Sequence, residues 1–501
     1  KGPVRGARDE FEGAVPDERG RLSPAPPVEP LAEPQKPASA ATAAEAGPRP
    51  RWHRRLLRHV VVDLGPLRRH REFRLLWLAQ AVTMLGSMVT YVAIPYQAFQ
   101  LTHSSLVVGL LSAVEFAPLL IVPLVGGALA DAVDRRRLVL LAELLLAGAS
   151  VALLVNALIG APRLWVLFVV AGSISAFDGL QRPPLDALLP RLVERDELTA
   201  AGAISSLRWT AGSILGPALG GVLIASVGLA AAYAFDIVTF AASLALLSLM
   251  RAVPPPEDAE RPSVRGVVDG LRYAFSRQVL LGTYTVDIIA MFFGMPLALF
   301  PALAEGFGGA RALGLLYAAP EVGALLATLT SGWSGRVHRH GAAVCLAAAG
   351  WGAGIVLLGF APSLRWALVA LIIAGFADMI SGIFRMVIWN QTIPDRLRGR
   401  LAGIEQISYS TGPTLGNVEA GAVATLTSVR VSIASGGLLC VAGVGVAAVF
   451  LKQFRRYDAR RGDSGAGQTG ADETGTSDGD AGDATSGRTG SGEAGPEPPA
   501  I

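Results

Sequence analysis

At 501 residues, with 51% hydrophobic and 17% charged side chains and a mean hydropathy of +0.46, the chain is too apolar for a soluble globular protein of its size. The formal charge of +3 is spread unevenly, basic residues crowding a few loops and acidic ones the C-terminal tail, a topology pattern that needs no nucleic acid to explain it. Cys345 and Cys440 each lie inside an apolar run without a Cys or His at ligand spacing, so neither a disulfide framework nor a metal site is expected, and no cofactor.

Residues 1 to about 50 are Pro, Ala, Glu and Arg without a hydrophobic period and are expected to be disordered. From Arg51 to Arg74 the chain turns strongly basic, which makes 1–70 a disordered and basic tail held on the cytoplasmic side. No signal-peptide pattern stands at its head, so the first span is expected to remain in the protein.

Runs of about twenty apolar residues cross about 30 Å of hydrocarbon as helices. Twelve can be drawn: 74–101, 105–130, 138–159, 163–187, 201–225 and 229–250, then 279–304, 312–334, 342–361, 365–390, 401–427 and 430–451. The expected chain is an all-α membrane protein, with six-helix bundles over 71–250 and 279–456 and a central cytoplasmic loop at 251–278. A disordered cytoplasmic tail rich in Gly, Asp, Ser and Thr occupies 457–501. One set of loops carries Arg135, Arg136, Arg137, Arg191, Arg195 and Arg396, while the other is nearly bare, which puts both termini inside. Three motif pairs recur in the same order in both halves. Gly109-Leu110-Leu111 returns as Gly314-Leu315-Leu316, Ala171-Gly172 with Arg182 as Ala374-Gly375 with Arg385, and Gly216-Pro217 as Gly412-Pro413.

Between the second and third spans lies the charged turn Gly126-Gly127-Ala128-Leu129-Ala130-Asp131-Ala132-Val133-Asp134-Arg135-Arg136-Arg137. The fifth span carries Gly212, Gly216, Pro217, Gly220 and Gly221. Glycines at i, i+4 and i+8 leave a helix face without side chains against which a neighbour packs closely, and Pro217 removes a backbone donor. Ionisable residues inside spans cost about 2.5–3.5 kcal/mol even on the mildest scale, so they are read first as functional. Glu115 and Glu321 fall near mid-depth, the former with no cation in its own span. Asp178 and Arg182 stand at i and i+4, the spacing of an ion pair on one helix face. Arg208 precedes the glycine ridge, Asp236, Asp287, Asp378, Arg385 and Glu405 complete the set, and Glu143 is read as bland. A buried carboxylate able to hold a proton near neutral pH supplies what antiport requires, while a structural ion pair is the plainer alternative. No nucleophile constellation, phosphate loop or metal motif appears, so the chain is not expected to be an enzyme.

Gly127-x-Leu129-Ala130-Asp131-x-x-x-Arg135-Arg136 resembles the loop signature of the major facilitator superfamily, with Ala132 and Asp134 departing from the usual arginine and glycine. The fifth-span glycines resemble the superfamily's antiporter signature, which marks exporters. Asp178-Gly179, Pro301-Ala302-Leu303-Ala304 and Gly314-Leu315-Leu316-Tyr317-Ala318-Ala319 are similar to the branch of proton antiporters that holds enterobactin and drug exporters. The resemblance covers residues 70 to 456 and implies alternating access between two bundles around a central cavity, with export coupled to inward proton flow. It makes Gly127, Asp131, Arg135 and Arg136 the conformational-gating loop, with the start of span 11 near Arg398 and Gly399 as the aspartate's partner. Glu115, Asp178, Arg182, Arg208, Glu321 and Arg385 become the residues expected to couple protons or bind substrate. The partners implied are a small-molecule substrate, protons and the lipid bilayer of the cell membrane, with the chain acting as a monomer. A siderophore-like anion would call on the arginines and a cationic drug on the carboxylates, and the sequence supplies both. A sensor built like a transporter stands as the third reading.

Overall fold

The computed structural model describes residues 63–251, 272–273 and 275–459, and side chains other than those of 124–125, 128, 130–132, 395–400 and 402–407. The expectations for residues 1–62, 252–271 and 460–501 lie outside the described residues. After a one-turn helix at Gly65–Arg69 the first half runs as α1 Arg71–Thr102, α2 Ser105–Ala132, α3 Arg135–Leu158, α4 Leu164–Leu192, α5 Leu198–Ser226 and α6 Leu229–Ser248. The second half runs as α7 Gln278–Phe293, α8 Ala310–Leu329, α9 His340–Gly359, α10 Leu364–Thr392, α11 Asp395–Leu426 and α12 Val429–Phe450.

Among the described residues, eleven segments are long and apolar enough to cross a membrane. The expected eleventh span, α11, is not one of them, although it is 32 residues long. The reason lies in its polar residues: Ser408, Ser410, Thr414 and Asn417 are all buried inside the protein, so this helix faces protein along much of its length. The span drawn over 279–304 stands as Gln278–Glu305, though its helix is interrupted after Phe293 at Gly294-Met295-Pro296 and resumes as a 3-10 turn and a short helix, Phe300–Glu305. One further expectation needs correction. The span drawn over 312–334 ends at Leu329, and Ser331–Arg336 forms a separate 3-10 turn.

The ends of the helices are fixed by short-range chemistry. His103 takes the left-handed conformation with φ 46°, closing α1, and the Ser104 hydroxyl then accepts from Val107 N at 3.4 Å to start α2. Asp134, the residue that departs from the loop signature, caps α3 by accepting from Arg136 N at 2.9 Å and Arg137 N at 3.4 Å. Large apolar side chains such as Leu144, Leu346, Phe360 and Phe450 are exposed on the outer faces, as a hydrocarbon solvent requires. Trp165 and Trp366 stand exposed at the starts of α4 and α10, matching interfacial anchors in the two halves.

Within the first half α2 packs on α4, α1 on α5 and α6, and α3 on α4 and α6. The second half packs α9 on α10 and α12, α8 on α10, and α7 on α11 and α12. The halves meet chiefly through α5 with α8 and α2 with α11, which are the same pair of helices under the internal repeat. We call the end of the bundle that carries the described termini proximal and the other distal.

Candidate functional site

The glycine ridge of α5 has two faces. A Cβ on Gly212, Gly216 or Gly220 would strike Met84, Met88 or Val89 of α1, so this face seats α1 within the first half. Gly221 turns the other way and meets Gly314 of α8, where an added Cβ would lie 2.9 Å from the opposite Cα, and Pro217 offers its carbonyl to the same glycine. The second half repeats the device, since Gly412 and Gly416 of α11 seat Met291 and Phe292 of α7. At the position matching Gly221, however, α11 carries Asn417. Its Oδ1 accepts from Ala298 N at 3.1 Å and its Nδ2 donates to Ser112 Oγ of α2 at 3.2 Å, clasping the interrupted α7 segment, α11 and the first half together. Gln100 Nε2 donates to Glu305 Oε1 at 3.1 Å, and Tyr91 meets Tyr317 edge to face at 5.3 Å. These cross-half contacts lie at mid-depth and distally, so the halves are closed against each other at the distal end.

Below that closure lies a cavity of about 310 Å³, mostly within the first half. Its ionisable lining is Glu115 of α2, Asp178 of α4, Asp236 of α6 and the phenols of Tyr91 and Tyr317, among many apolar side chains. Ser175 Oγ donates to the Glu115 carbonyl at 2.7 Å, tying α4 to α2 at the depth of the carboxylates. Asp236 is 1% exposed, and its Oδ2 accepts from Thr90 Oγ1 and Ser150 Oγ, each at 2.7 Å. Hydroxyls thus hold Asp236 where a cation would otherwise be expected. Asp236 was read from the sequence as one member of a long ionisable set, and nothing in its neighbours along the chain distinguishes it. The two hydroxyls on its Oδ2 come from α1 and α3, more than eighty residues away.

The other expected site residues divide between the halves. Asp178 and Arg182 do not form an ion pair, although their charges still attract each other, and Asp178 is free to face the cavity. This corrects the pair expected from their i and i+4 spacing: Asp178 turns into the cavity, which Arg182 does not line. None of Arg182, Arg208 and Arg385 lines the cavity. Arg208 Nη1 donates to Gln80 Oε1 at 3.4 Å. Glu321 faces Ser213 across the α5–α8 contact. Arg385, 3% exposed, pairs with the buried Asp287 of α7 and lies 5.3 Å from the centre of the Tyr409 ring, with Asp378 at 3.8 Å.

In the α2–α3 turn, Arg136 donates from Nε to Leu247 O at 2.9 Å and from Nη2 to Ser248 O at 2.6 Å, which caps the end of α6. Arg135 Nη1 donates to Ala187 O of α4 at 3.1 Å. The close helix approach falls to Gly126, against Gly179 and Leu180, while a Cβ on Gly127 would meet nothing among the described residues. The Asp131 side chain and the expected partners Arg398 and Gly399 lie outside the described side chains.

Comparison with known proteins places this architecture. The chain is 30% identical over 401 residues to the enterobactin exporter EntS of Shigella boydii serotype 4 (strain Sb227), covering 79% of this chain and 96% of that one. The same figures hold for the enterobactin exporter EntS of Escherichia coli O1:K1 / APEC. Among solved structures the fold is similar to a POT family transporter in complex with 5-aminolevulinic acid, with TM-score 0.62 and 13% identity over 77% of this chain and 97% of that one. It is also similar to a bacterial homolog of the human lysosomal transporter Spinster, in an inward-facing and unoccupied conformation, with TM-score 0.59 and 15% identity over 80% and 98%. Residues 62–466 match the transmembrane secretion effector family, and with that match over most of its length the chain belongs to this family of the major facilitator superfamily.

Proposed function

We propose that the protein is a proton-coupled exporter of a bulky small molecule, working by alternating access from the cell membrane with both termini cytoplasmic. The observation that carries this reading is a cavity beneath a distal closure whose charged lining, among the described residues, consists of Glu115, Asp178 and Asp236. Uncompensated carboxylates in a low-dielectric site can hold protons, and a substrate entering the same space competes with them. The α5–α8 and α2–α11 contacts are glycine-rich, a geometry in which two halves can rock apart without unpacking either core. The state described is then the one that receives substrate from the cytoplasm.

Sequence similarity to enterobactin exporters supports a siderophore-like cargo. A second reading has its own observation behind it. An anionic cargo would need a cation in its seat, and the cavity offers carboxylates, tyrosines and apolar walls instead, which favours a neutral or cationic amphiphile such as a drug or antibiotic. The test is transport into reconstituted vesicles under an imposed pH gradient, with a catecholate siderophore and a lipophilic cation offered separately. Gradient-driven accumulation of one and not the other assigns the cargo. Binding of either without any pH-driven movement would sink the transport reading and leave a sensor.

A further inference from the structure

One fully buried carboxyl group stands outside the cavity and was read from the sequence as bland. Glu143 of α3 is 0% exposed, outside the cavity lining, and among the described residues has no ion-pair partner. Its Oε1 accepts from Gln80 Nε2 of α1 at 3.0 Å and from Gln181 Nε2 of α4 at 3.2 Å, with Thr83 Oγ1 at 3.5 Å. All are neutral donors. Its Oε2 is buried with no hydrogen-bond partner, and Ser243 Oγ of α6, which interacts with the same carboxyl, is also buried without one. A carboxylate would have only the Ser243 hydroxyl beside that second oxygen and no cation to balance its charge in the bundle core, whereas a proton on Oε2 makes it a donor to the same hydroxyl oxygen.

Among the described residues, the charge tied to this cluster by hydrogen bonds stands one side chain away. Arg208 of α5 donates from Nη1 to Gln80 Oε1 at 3.4 Å, while its buried Nε has no hydrogen-bond partner. The Gln80 amide is oriented by both neighbours, oxygen toward the cation and nitrogen toward the carboxyl. Glu143 lies two helical turns along α3 from Ser150, the hydroxyl that holds Asp236, and so about 10 Å nearer the proximal end than the cavity carboxylate.

We propose that Glu143 is a proton-binding site separate from the cavity, holding its proton on Oε2 in the distally closed state, with Arg208 positioned through Gln80 as the cation that displaces it. The part of this inference that concerns transport rests on the proton-coupled reading above; the existence of the site does not. In the cycle, movement of α5 against α1 would replace the Gln80 bridge by a direct Arg208–Glu143 contact and release the proton as hydronium toward the proximal side.

Infrared difference spectra of the full-length protein in lipid, titrated from acid to alkaline buffer without substrate, test the site directly. The wild-type protein is expected to lose protonated-carboxyl carbonyl bands as the buffer becomes alkaline, and Glu143→Gln to lack one of them. Arg208→Gln should retain that band in buffer alkaline enough to empty the wild-type site, an effect that a merely structural glutamate would not produce. A Glu143→Gln titration superimposable on the wild type would overturn the proposal, whether the group is always neutral or always charged. If the band is lost as expected but wild-type vesicles show no pH-driven transport, the proton-coupled function fails and the proton site stands.

Discussion

The two halves share a fold and handle charge in opposite ways. In the second half the buried Asp287 is neutralised by Arg385, which also sits against the Tyr409 ring, while Ser408 donates to the same carboxylate at 3.3 Å. In the first half the equivalent arginine, Arg182, is exposed and unpaired with Asp178, and the carboxylates of Glu115, Asp178, Asp236 and Glu143 are met by hydroxyls, amides or the cavity. Two arginines at the same spacing after an Ala-Gly pair therefore do different things, because α7 offers Arg385 the buried Asp287, whereas Arg182 has no ion-pair partner among the described residues. A closed ion pair fixes helices, whereas carboxylates without cations can change protonation. On the proposed proton-coupled reading, the second half plays a structural part and the first half carries the protonatable groups.

The hardest test of that division is Arg385→Gln. Removing one partner of a buried pair strands the other charge and costs about 3–5 kcal/mol, so the melting temperature in detergent should fall steeply, and Asp287→Asn in the same chain should recover much of the loss. An Arg182→Gln protein should melt like the wild type. Equal destabilisation by both would break the asymmetry. Next comes Gly314→Val at the α5–α8 crossing, where the new side chain meets the Pro217 carbonyl and Gly221. Overpacking of this kind costs about 1–3 kcal/mol, and spin-label distances across the distal ends should lengthen as the closed state loses population; an unchanged distribution would mean the crossing does not set the closure.

Glu115→Gln fixes the neutral form of a cavity group at nearly constant volume. Export driven by a pH gradient is expected to fall by about tenfold or more, equivalent to ~1.4 kcal/mol, while counterflow down the substrate's own gradient persists. Full pH-driven export in this variant would move the coupling role to Asp178 or Asp236. The smallest effect expected is from Asn417→Ala, which removes two hydrogen bonds from the distal clasp, each worth about 0.5–1.5 kcal/mol. The closed population should drop modestly in the same distance measurement, and Ser112→Ala, which removes one bond, should move it less. A larger shift from Ser112→Ala than from Asn417→Ala would contradict the clasp.

Much of the fold was legible because a bilayer imposes one dominant rule on sequence. Apolar runs, basic loops and repeated Gly-Leu-Leu and Gly-Pro motifs located the helices to within a few residues and paired the halves. The glycine ridge was legible too, since a face without side chains is a local property of spacing. Where the rule weakened, the reading slipped. The break at Gly294-Met295-Pro296 sits inside an unbroken apolar run, and the polar length of α11 makes sense only once Ser408, Ser410, Thr414 and Asn417 are seen to be buried against protein.

Of the candidate site, the sequence by itself determined which residues carry charge inside the membrane and that Glu115 has no cation along its own helix. It could not say which charges meet. Tertiary structure alone decided that Arg385 is paired and Arg182 is not, that Thr90 and Ser150 hold Asp236, and that Gln80 and Gln181 close over Glu143. The physical reason is range: hydropathy acts residue by residue along the chain, whereas the state of a buried charge depends on groups within about 4–6 Å, and here those groups come from other helices.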